Sequence, residues 1–303
     1  MIYTVTLNPS IDFIVRLDQL TLGSVNRMAS DDKYAGGKGI NVSRMLQRLG
    51  ITSTATGFLG GFTGRFIQDY LEQEMIRTQF VAVDQDTRIN VKIKASDETE
   101  INGQGPVISK QQLTALKDQL AAVETGDIVV FAGSAPASLG NGIYKELIEL
   151  VRQQGAEIVC DFEGQTLLDA LAYQPLLVKP NKTELEAIFK VTLQDLDVIE
   201  ACARQLLDMG AKQALISMAG DGALLVTKEA TYFAKPITGK VKNSVGAGDS
   251  MVAGFTGEFA LHKDPVEALK WGVACGTATA FSDDLATIDD ITKLYAKVEV
   301  EKR

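Results

Sequence analysis

Residues 243–250 read NSVGAGDS and join a glycine-rich turn to an apolar segment that begins at Met251. Glycines at the start of a helix let backbone N–H groups approach an anion, and the helix dipole favours negative charge there. Asp249 falls in the first turn of the predicted helix, where its carboxylate could accept a proton from a hydroxyl that attacks a phosphate. An ordinary N-cap aspartate after a glycine-rich turn would have the same spacing, so this stretch alone leaves both interpretations open.

The chain around this stretch alternates short apolar runs with helical patterns. The runs are bounded by Gly, Pro or Asp, as is typical of buried parallel strands, and the pattern predicts a doubly wound α/β sheet with helices on both faces. The predicted strands lie at 2–7, 128–131, 158–160, 176–178 and 214–216. The predicted helices lie at about 39–49, 109–123, 142–154, 165–172, 195–209, 248–262, 265–281 and 289–297.

One segment departs from the parallel pattern. Residues 87–94 read TRINVKIK and alternate strictly between polar and apolar, which indicates an antiparallel strand with one wet face. Residues 13–35 also lack a helical period. We therefore expect one domain over 1–303, in which about 13–35 and 87–104 form a small antiparallel sheet beside the mainly parallel core.

Composition excludes several classes of function. The formal net charge is −9 and the pI about 4.8, which does not suit a nucleic-acid-binding surface. His262 is the only histidine and the three cysteines form no CxxC pair, so a disulfide framework or zinc site is not expected. The start, MIYTVTLNPSID, lacks a signal-peptide pattern, and no apolar run reaches the length of a membrane span. We expect a cytoplasmic protein that binds neither nucleic acid nor membranes.

Three further motifs give the chain a family resemblance. Residues 35–42 read AGGKGINV, 179–186 read KPNKTELE and 217–223 read SMAGDGA. Together with 243–250, they resemble the N-terminal signature, the Asn-x-x-Glu motif, the nucleotide loop and the C-terminal signature of the ribokinase-like carbohydrate kinases. All four stand in the family's order and span nearly the whole chain.

The resemblance implies roles for residues in these motifs. Asp249 would be the catalytic base, and the glycine-rich turn would stabilise charge on the transferred phosphoryl group. Glu184, with Asn181, would organise Mg²⁺ indirectly, because Mg²⁺ suits few protein ligands plus phosphates. Ala219 departs from the pattern, since relatives usually have glycine there. The turn residues are Gly246, Ala247 and Gly248, and the ATP site would contain Lys179, Asn181, Ser217, Met218, Ala219, Gly220, Asp221, Gly222 and Gly248.

The sugar side of the site is predicted from two stretches. Residues 8–12, NPSID, resemble the start of kinases that act on phosphorylated ketohexoses, with Asp12 placed to bind sugar hydroxyls. Period two puts Arg88, Asn90 and Lys92 on one strand face, where two cations and an amide could bind a phosphate. A solvated strand face with incidental charge is the alternative. The N-terminal signature adds Gly36, Gly37, Lys38 and Asn41 to the predicted sugar site.

The resemblance implies, as the expected reaction, ATP-dependent conversion of fructose 1-phosphate to fructose 1,6-bisphosphate. Tagatose 6-phosphate and, less favoured, fructose 6-phosphate are alternative acceptors, and a non-catalytic sugar-phosphate sensor on the same fold is the alternative outside enzymes. A dinucleotide-binding oxidoreductase is disfavoured because no stretch fits G-x-G-x-x-G. The small sheet of similar kinases covers the sugar as a lid, and its apolar face predicts a homodimer formed through that sheet.

Overall fold

The computed structural model describes residues 1–303, along which fourteen strands alternate with ten helices. The strands are β1 Ile2–Thr6, β2 Ser10–Arg16, β3 Ser30–Gly36, β4 Ser53–Gly60, β5 Arg77–Val83, β6 Arg88–Lys94, β7 Glu98–Asn102, β8 Ile128–Ala132, β9 Glu157–Asp161, β10 Leu177–Val178, β11 Gln213–Ser217, β12 Ala223–Thr227, β13 Thr231–Ala234 and β14 Val300–Lys302. The helices are α1 Lys38–Arg48, α2 Gly61–Gln73, α3 Lys110–Leu120, α4 Ile143–Gln153, α5 Gly164–Leu171, α6 Lys182–Phe189, α7 Leu196–Asp208, α8 Ala247–His262, α9 Pro265–Ala280 and α10 Ile288–Tyr295.

Ten strands form one large sheet in the order β14-β13-β12-β11-β10-β9-β8-β1-β4-β5. All pairs from β5 to β11 are parallel, and the β11-β12, β12-β13 and β13-β14 pairs are antiparallel. Strand order reverses at β1, from which the chain builds outward first to β4 and β5 and then, from β8, in the other direction. Such a switch point leaves a crevice at the carboxyl ends of the strands, where α/β folds bind ligands.

Helices cover both faces of this sheet, as the doubly wound prediction requires. On one face, Leu116 of α3 and Leu147 of α4 pack with Phe131 of β8 in one buried cluster. On the other face, Met45 of α1 and Phe255 of α8 belong to a second cluster. The predicted fold class is confirmed. No helix is long and apolar enough to span a membrane.

A separate small sheet has the order β3-β2-β6-β7. Its outer pairs are antiparallel as predicted, but β2 and β6 run parallel, with Asp12 opposite Asn90. The parallel pair arises because the chain passes through α1, β4, α2 and β5 of the core between these two strands, and a crossover of that kind returns in the same direction. The sequence patterns did not identify β4, α2, β5, α6 or the antiparallel edge from β12 to β14.

Candidate active site

A cavity of about 1670 Å³ opens at the switch point, between the large and small sheets. Its floor is formed where β1, β8, β9, β10 and β11 end, and its lining includes Asn8, Ser134, Asp161, Lys179 and Ser217 from those ends. All four sequence motifs line it at several positions, and the N-terminal motif contributes Gly37, Lys38 and Asn41. The topology therefore gathers residues from Thr6 to Phe281 into one site.

Asp249 lies in the first turn of α8, at the wall of this cavity. Gly246 is the N-cap with a φ of 77°, a left-handed conformation that glycine adopts without steric cost. The amide Nδ2 of Asn41 donates to Asp249 Oδ2 at 2.8 Å. Burial, and then the nearby charge of Asp161, raise the pKa of Asp249 to about 6. A carboxylate with that pKa is ionised near neutral pH yet remains basic enough to accept a proton.

Two lysines flank a buried carboxylate beside Asp249. The Nζ of Lys38 lies 3.2 Å from Asp161 Oδ2, and the Nζ of Lys179 lies 3.2 Å from Asp161 Oδ1. Burial disfavours the charged form of Asp161, but Lys179 and Lys38 outweigh it and hold the pKa of this carboxyl below its usual range. A Cβ added at Gly248 would lie 3.3 Å from Lys179 Nζ, so this ammonium sits next to the glycine-rich turn. Asp161, Lys38 and Lys179 together carry a net positive charge at the position where an anion would bind.

The Asn-x-x-Glu motif forms a capping box at the start of α6. Asn181 Oδ1 accepts from the Glu184 backbone N–H, and Glu184 Oε2 accepts from that of Asn181, both at 2.8 Å. Burial is the largest influence on Glu184 and raises its pKa. Both residues line the cavity. The cap fixes the carboxylate through one oxygen, which leaves Oε1 available to a ligand.

The predicted nucleotide loop lies between β11 and β12, and Ser217, Met218, Ala219, Gly220 and Gly222 line the cavity. Asp221 is exposed and does not line it. Ala219 has a φ of 49°, a left-handed conformation that a glycine would adopt more easily. The loop thus holds a methyl group in a conformation that favours glycine.

Asp12 is held from several sides at the sugar end of the cavity. Ser10 Oγ donates to Asp12 Oδ1 at 2.8 Å, and Asn90 Nδ2 donates to the same oxygen at 3.2 Å. A Cβ at Gly36 would lie 2.6 Å from the Asp12 carboxylate, so glycine is required there for this placement. Gly36 itself stands behind Asp12 and does not line the cavity.

The guanidinium of Arg88 is oriented by two backbone carbonyls. Its Nε donates to Asn8 O at 3.2 Å and its Nη1 donates to Gly103 O at 3.3 Å. Burial lowers its pKa, against a smaller opposing influence from Asp12. Arg88 therefore has a fixed direction while its remaining N–H groups stay available in the cavity.

Lys92 does not join Arg88 and Asn90 in the main cavity. It is buried, with Nζ 3.6 Å from Asp12 Oδ2 and 3.8 Å from Glu100 Oε1, and it lines a neighbouring cavity of about 30 Å³. The shared strand face was predicted from alternation, but four residues along a strand span about 13 Å. Lys92 is therefore too far along β6 to line the same cavity as Arg88.

Sequence patterns missed some cavity residues. Thr6, Asn8, Ser134 and Asp161 all line the cavity, and Thr6 Oγ1 and Asn8 Oδ1 are buried without a hydrogen-bond partner. Each of the four lies at or just after the end of a parallel strand. Polar residues at these ends meet at a ligand crevice, and that placement was the signal available in the sequence.

Known proteins are similar to this chain in sequence and in fold. Residues 5–290 match the pfkB family of carbohydrate kinases. The chain belongs to that family. The 1-phosphofructokinase of Bacillus subtilis (strain 168) is 48% identical over 302 residues, with 100% of both chains covered. The D-tagatose-1-phosphate kinase of Bacillus licheniformis is 38% identical over 302 residues, covering 99% of each.

A solved structure extends the comparison. Phosphofructokinase-2 from Escherichia coli, in complex with substrates and products, superposes with a TM-score of 0.93 at 31% identity, covering 98% of each chain. Membership of the pfkB family makes the chain a kinase with an alcohol group as acceptor and implies that it uses ATP. The family resemblance drawn from the four motifs is confirmed.

Proposed function

We propose that the chain phosphorylates the 6-hydroxyl of fructose 1-phosphate with ATP, giving fructose 1,6-bisphosphate and ADP. The arrangement that carries this proposal is a buried basic carboxylate, Asp249, at the glycine-rich start of a helix, with cations on both sides of the cavity. Lys38 and Lys179 lie at the Asp249 side, and Arg88 lies on the small sheet. Cations at both ends of the cavity suit a substrate that already carries one phosphate and receives another.

The proposed step needs one base and a set of anion donors. Asp249 takes the proton from the 6-hydroxyl as the bond from O6 to phosphorus forms and the bond from phosphorus to the leaving ADP oxygen breaks. The backbone N–H groups of Gly248 and Asp249, in the first turn of α8, stabilise charge on the transferred phosphoryl group, whereas that of Ala247 donates to the Ser244 carbonyl at 3.3 Å. Lys179, next to Gly248, adds a positive charge at the same position.

We assign the nucleotide to the side of the cavity that the Ser217–Gly222 loop and Asn181 line, and Mg²⁺ to Glu184. No three His, Cys, Asp or Glu side chains converge to form a metal cage. Mg²⁺ fits such a site because it commonly binds through one or two carboxylates, waters and substrate phosphates. The free oxygen of Glu184 suits a water of that shell. When bound, Mg²⁺ would neutralise charge on the phosphates of ATP.

The acceptor's own phosphate is assigned to Arg88. A guanidinium can donate to two phosphate oxygens at once, and the backbone carbonyls that hold Arg88 reduce the entropy lost when it binds. Asp12, fixed by Ser10 and Asn90, is assigned to the sugar hydroxyls. Similarity to a D-tagatose-1-phosphate kinase favours a 1-phosphate acceptor but leaves the epimer at one carbon as a second candidate substrate.

We also propose that the chain forms a homodimer through the exposed face of the small sheet. Ile101 is 58% exposed and Ile89 is 38% exposed, and Val91 lies beside Phe13 in register and is only partly buried. Adjacent apolar side chains on an open sheet face are normally covered by a partner. A second copy of the same face would cover them.

Release of ADP on addition of fructose 1-phosphate tests the kinase proposal, with the product identified as fructose 1,6-bisphosphate by aldolase cleavage. ADP release that does not depend on a sugar phosphate, or binding without turnover, would contradict it. Binding without turnover would instead support the sugar-phosphate sensor.

A further inference from the structure

Arg44 is a charged residue that is enclosed near the middle of α1, with a side chain only 1% exposed. Its Nε and Nη2 donate to the two carboxylate oxygens of Glu74 at 3.0 Å each. Nη2 also donates to Asp284 Oδ2 at 2.7 Å and to the Tyr70 hydroxyl at 3.0 Å. A buried guanidinium is tolerated only when it is paired in this way, and Arg44 links two separate parts of the chain by its pairing.

One of those parts is the loop between α9 and α10, which a second arginine also holds. Arg48, one turn after Arg44, contacts Asp284 Oδ2 at 3.3 Å through Nη2. Its Nη1 donates to the carbonyl of Leu285 and, at 3.0 Å, to that of Ala286. Helix α1 thus fixes three successive residues of this loop.

The same loop supports the glycine-rich turn of the active site. A Cβ added at Gly246 would lie 2.7 Å from Leu285 Cδ2, so Leu285 packs directly against the N-cap of α8. Asn243 Nδ2 donates to the Asp283 carbonyl at 3.1 Å. Any movement of residues 283–285 therefore displaces the turn that carries the anion-binding amides.

Helix α1 also contacts the catalytic base directly, because Asn41 donates to Asp249. Asn41 precedes Arg44 by about one helical turn. Helix α1 thus positions the Asp249 carboxylate through Asn41. Through Arg44 and Arg48 it also positions the loop that supports the glycine-rich turn. We propose that Arg44 and Arg48 are positioning residues. They act through Asp284 to hold the glycine-rich turn, and with it Asp249, in the position that phosphoryl transfer requires.

The proposal rests on the assignment of Asp249 as the base, and a matched pair of variants separates positioning from ordinary stability. Asp284 and Glu74 are similarly buried, with side chains 29% and 26% exposed, and each contacts both arginines. Asp284 belongs to the loop under Gly246, whereas Glu74 follows the end of α2. Asp284→Asn and Glu74→Gln therefore remove comparable ion pairs, but only the first loosens the support of the turn.

The experiment compares steady-state kinetics of the two variants with ATP and fructose 1-phosphate, after thermal denaturation has established that their stabilities are similar. We expect Asp284→Asn to lower kcat by about 10- to 100-fold, as a small misplacement of catalytic groups does, with the sugar-phosphate KM changed by less than roughly twofold. Glu74→Gln should keep kcat within roughly threefold of the wild-type value.

The pH profile gives a readout that a purely structural role would not move. A weakened Asn41 bond raises the pKa of Asp249 and moves the acid limb of kcat to higher pH, while Asp161, Lys38 and Lys179 still face Asp249 unchanged. Simple loss of the Asp284 charge would move the limb in the opposite direction.

The proposal is overturned if the two variants have the same kcat within about threefold, or if the acid limb of Asp284→Asn does not rise. Should Asp284→Asn fail to fold, Arg48→Met replaces it, because Arg48 is partly exposed and holds the same loop. The same fall in kcat is then required. If Asp249→Asn instead keeps its kinase activity, the proposed mechanism is rejected. Failure of the positioning proposal and failure of the mechanism are therefore distinguishable.

Discussion

Replacement of Asp249 by asparagine should make the protein more stable while it abolishes most activity. Burial and Asp161 raise the pKa of this carboxyl from 3.8 to about 6. The unfolded chain releases the proton near the lower value, so above pH 6 the folded state holds an ionised carboxylate that it disfavours. A shift of about two units corresponds to roughly 3 kcal/mol, and neutral asparagine removes this penalty.

The sign of this effect depends on pH. Because the folded pKa lies above the unfolded one, the carboxyl lowers stability fully above pH 6, progressively less between pH 6 and 3.8, and not at all below about pH 3, where both states are protonated. The gain of Asp249→Asn should therefore be full at pH 8, about half as large at pH 5 and absent near pH 3.

Urea denaturation at pH 8 and pH 5 measures this gain, and the ADP-release assay at pH 8 measures kcat. We expect kcat to fall by about 10²- to 10⁴-fold, the usual contribution of a general base, with little change in either KM. Asp118→Asn is the matched control, because Asp118 is exposed on α3 and should change neither quantity. An unchanged or lower free energy of unfolding at pH 8 would refute the electrostatic reasoning, and a kcat above a tenth of the wild-type value would refute the role as base.

Three other perturbations have defined outcomes. Arg88→Ala should raise the KM for fructose 1-phosphate by about 10- to 150-fold, which corresponds to a charge-assisted contact of about 1.5–3 kcal/mol, and should leave the KM for ATP nearly unchanged. The control Arg65→Ala, at an exposed position, should keep both KM values near those of the wild type. An unchanged sugar-phosphate KM would exclude Arg88 as the phosphate-binding residue. The pH profile of kcat should fall about tenfold per unit below pH 6, because Asp249 must be ionised; a limb near pH 4 would contradict its raised pKa. Light scattering should show a dimer that Ile101→Glu dissociates and the exposed control Val191→Glu does not, whereas a monomeric wild-type protein would exclude this interface.

Local sequence patterns predicted the fold class and most of the core strands and helices, because each pattern depends on neighbouring residues. The helix of about 248–262 was found from the glycine-rich turn before it, and it is observed at Ala247–His262. Helix α2 was missed because its first turn contains Gly61 and Gly64, which weaken a helical pattern. At the antiparallel edge, β14 was missed because its partner β13 is distant from it in the sequence.

The site was less predictable because it depends on distance in space. Alternation placed Lys92 on the same strand face as Arg88. It could not show that β6 extends past the cavity, so that Lys92 lies outside the cavity. Asp161 stands at the end of a predicted strand, which is a signal for a site residue, but nothing nearby in the sequence marks its pairing with Lys38 and Lys179. Those contacts join β9 to α1 and to the end of β10, and only the assembled sheet brings them together.

The most direct test of the proposed activity is the specificity constant for four acceptors, measured by ADP release under identical conditions. The acceptors are fructose 1-phosphate, tagatose 6-phosphate, fructose 6-phosphate and unphosphorylated fructose. Fructose 1-phosphate should have the highest kcat/KM and should exceed fructose by at least about tenfold, since fructose lacks the phosphate that Arg88 binds. A higher kcat/KM for tagatose 6-phosphate, or an equal value for fructose, would contradict the assignment of fructose 1-phosphate as the acceptor.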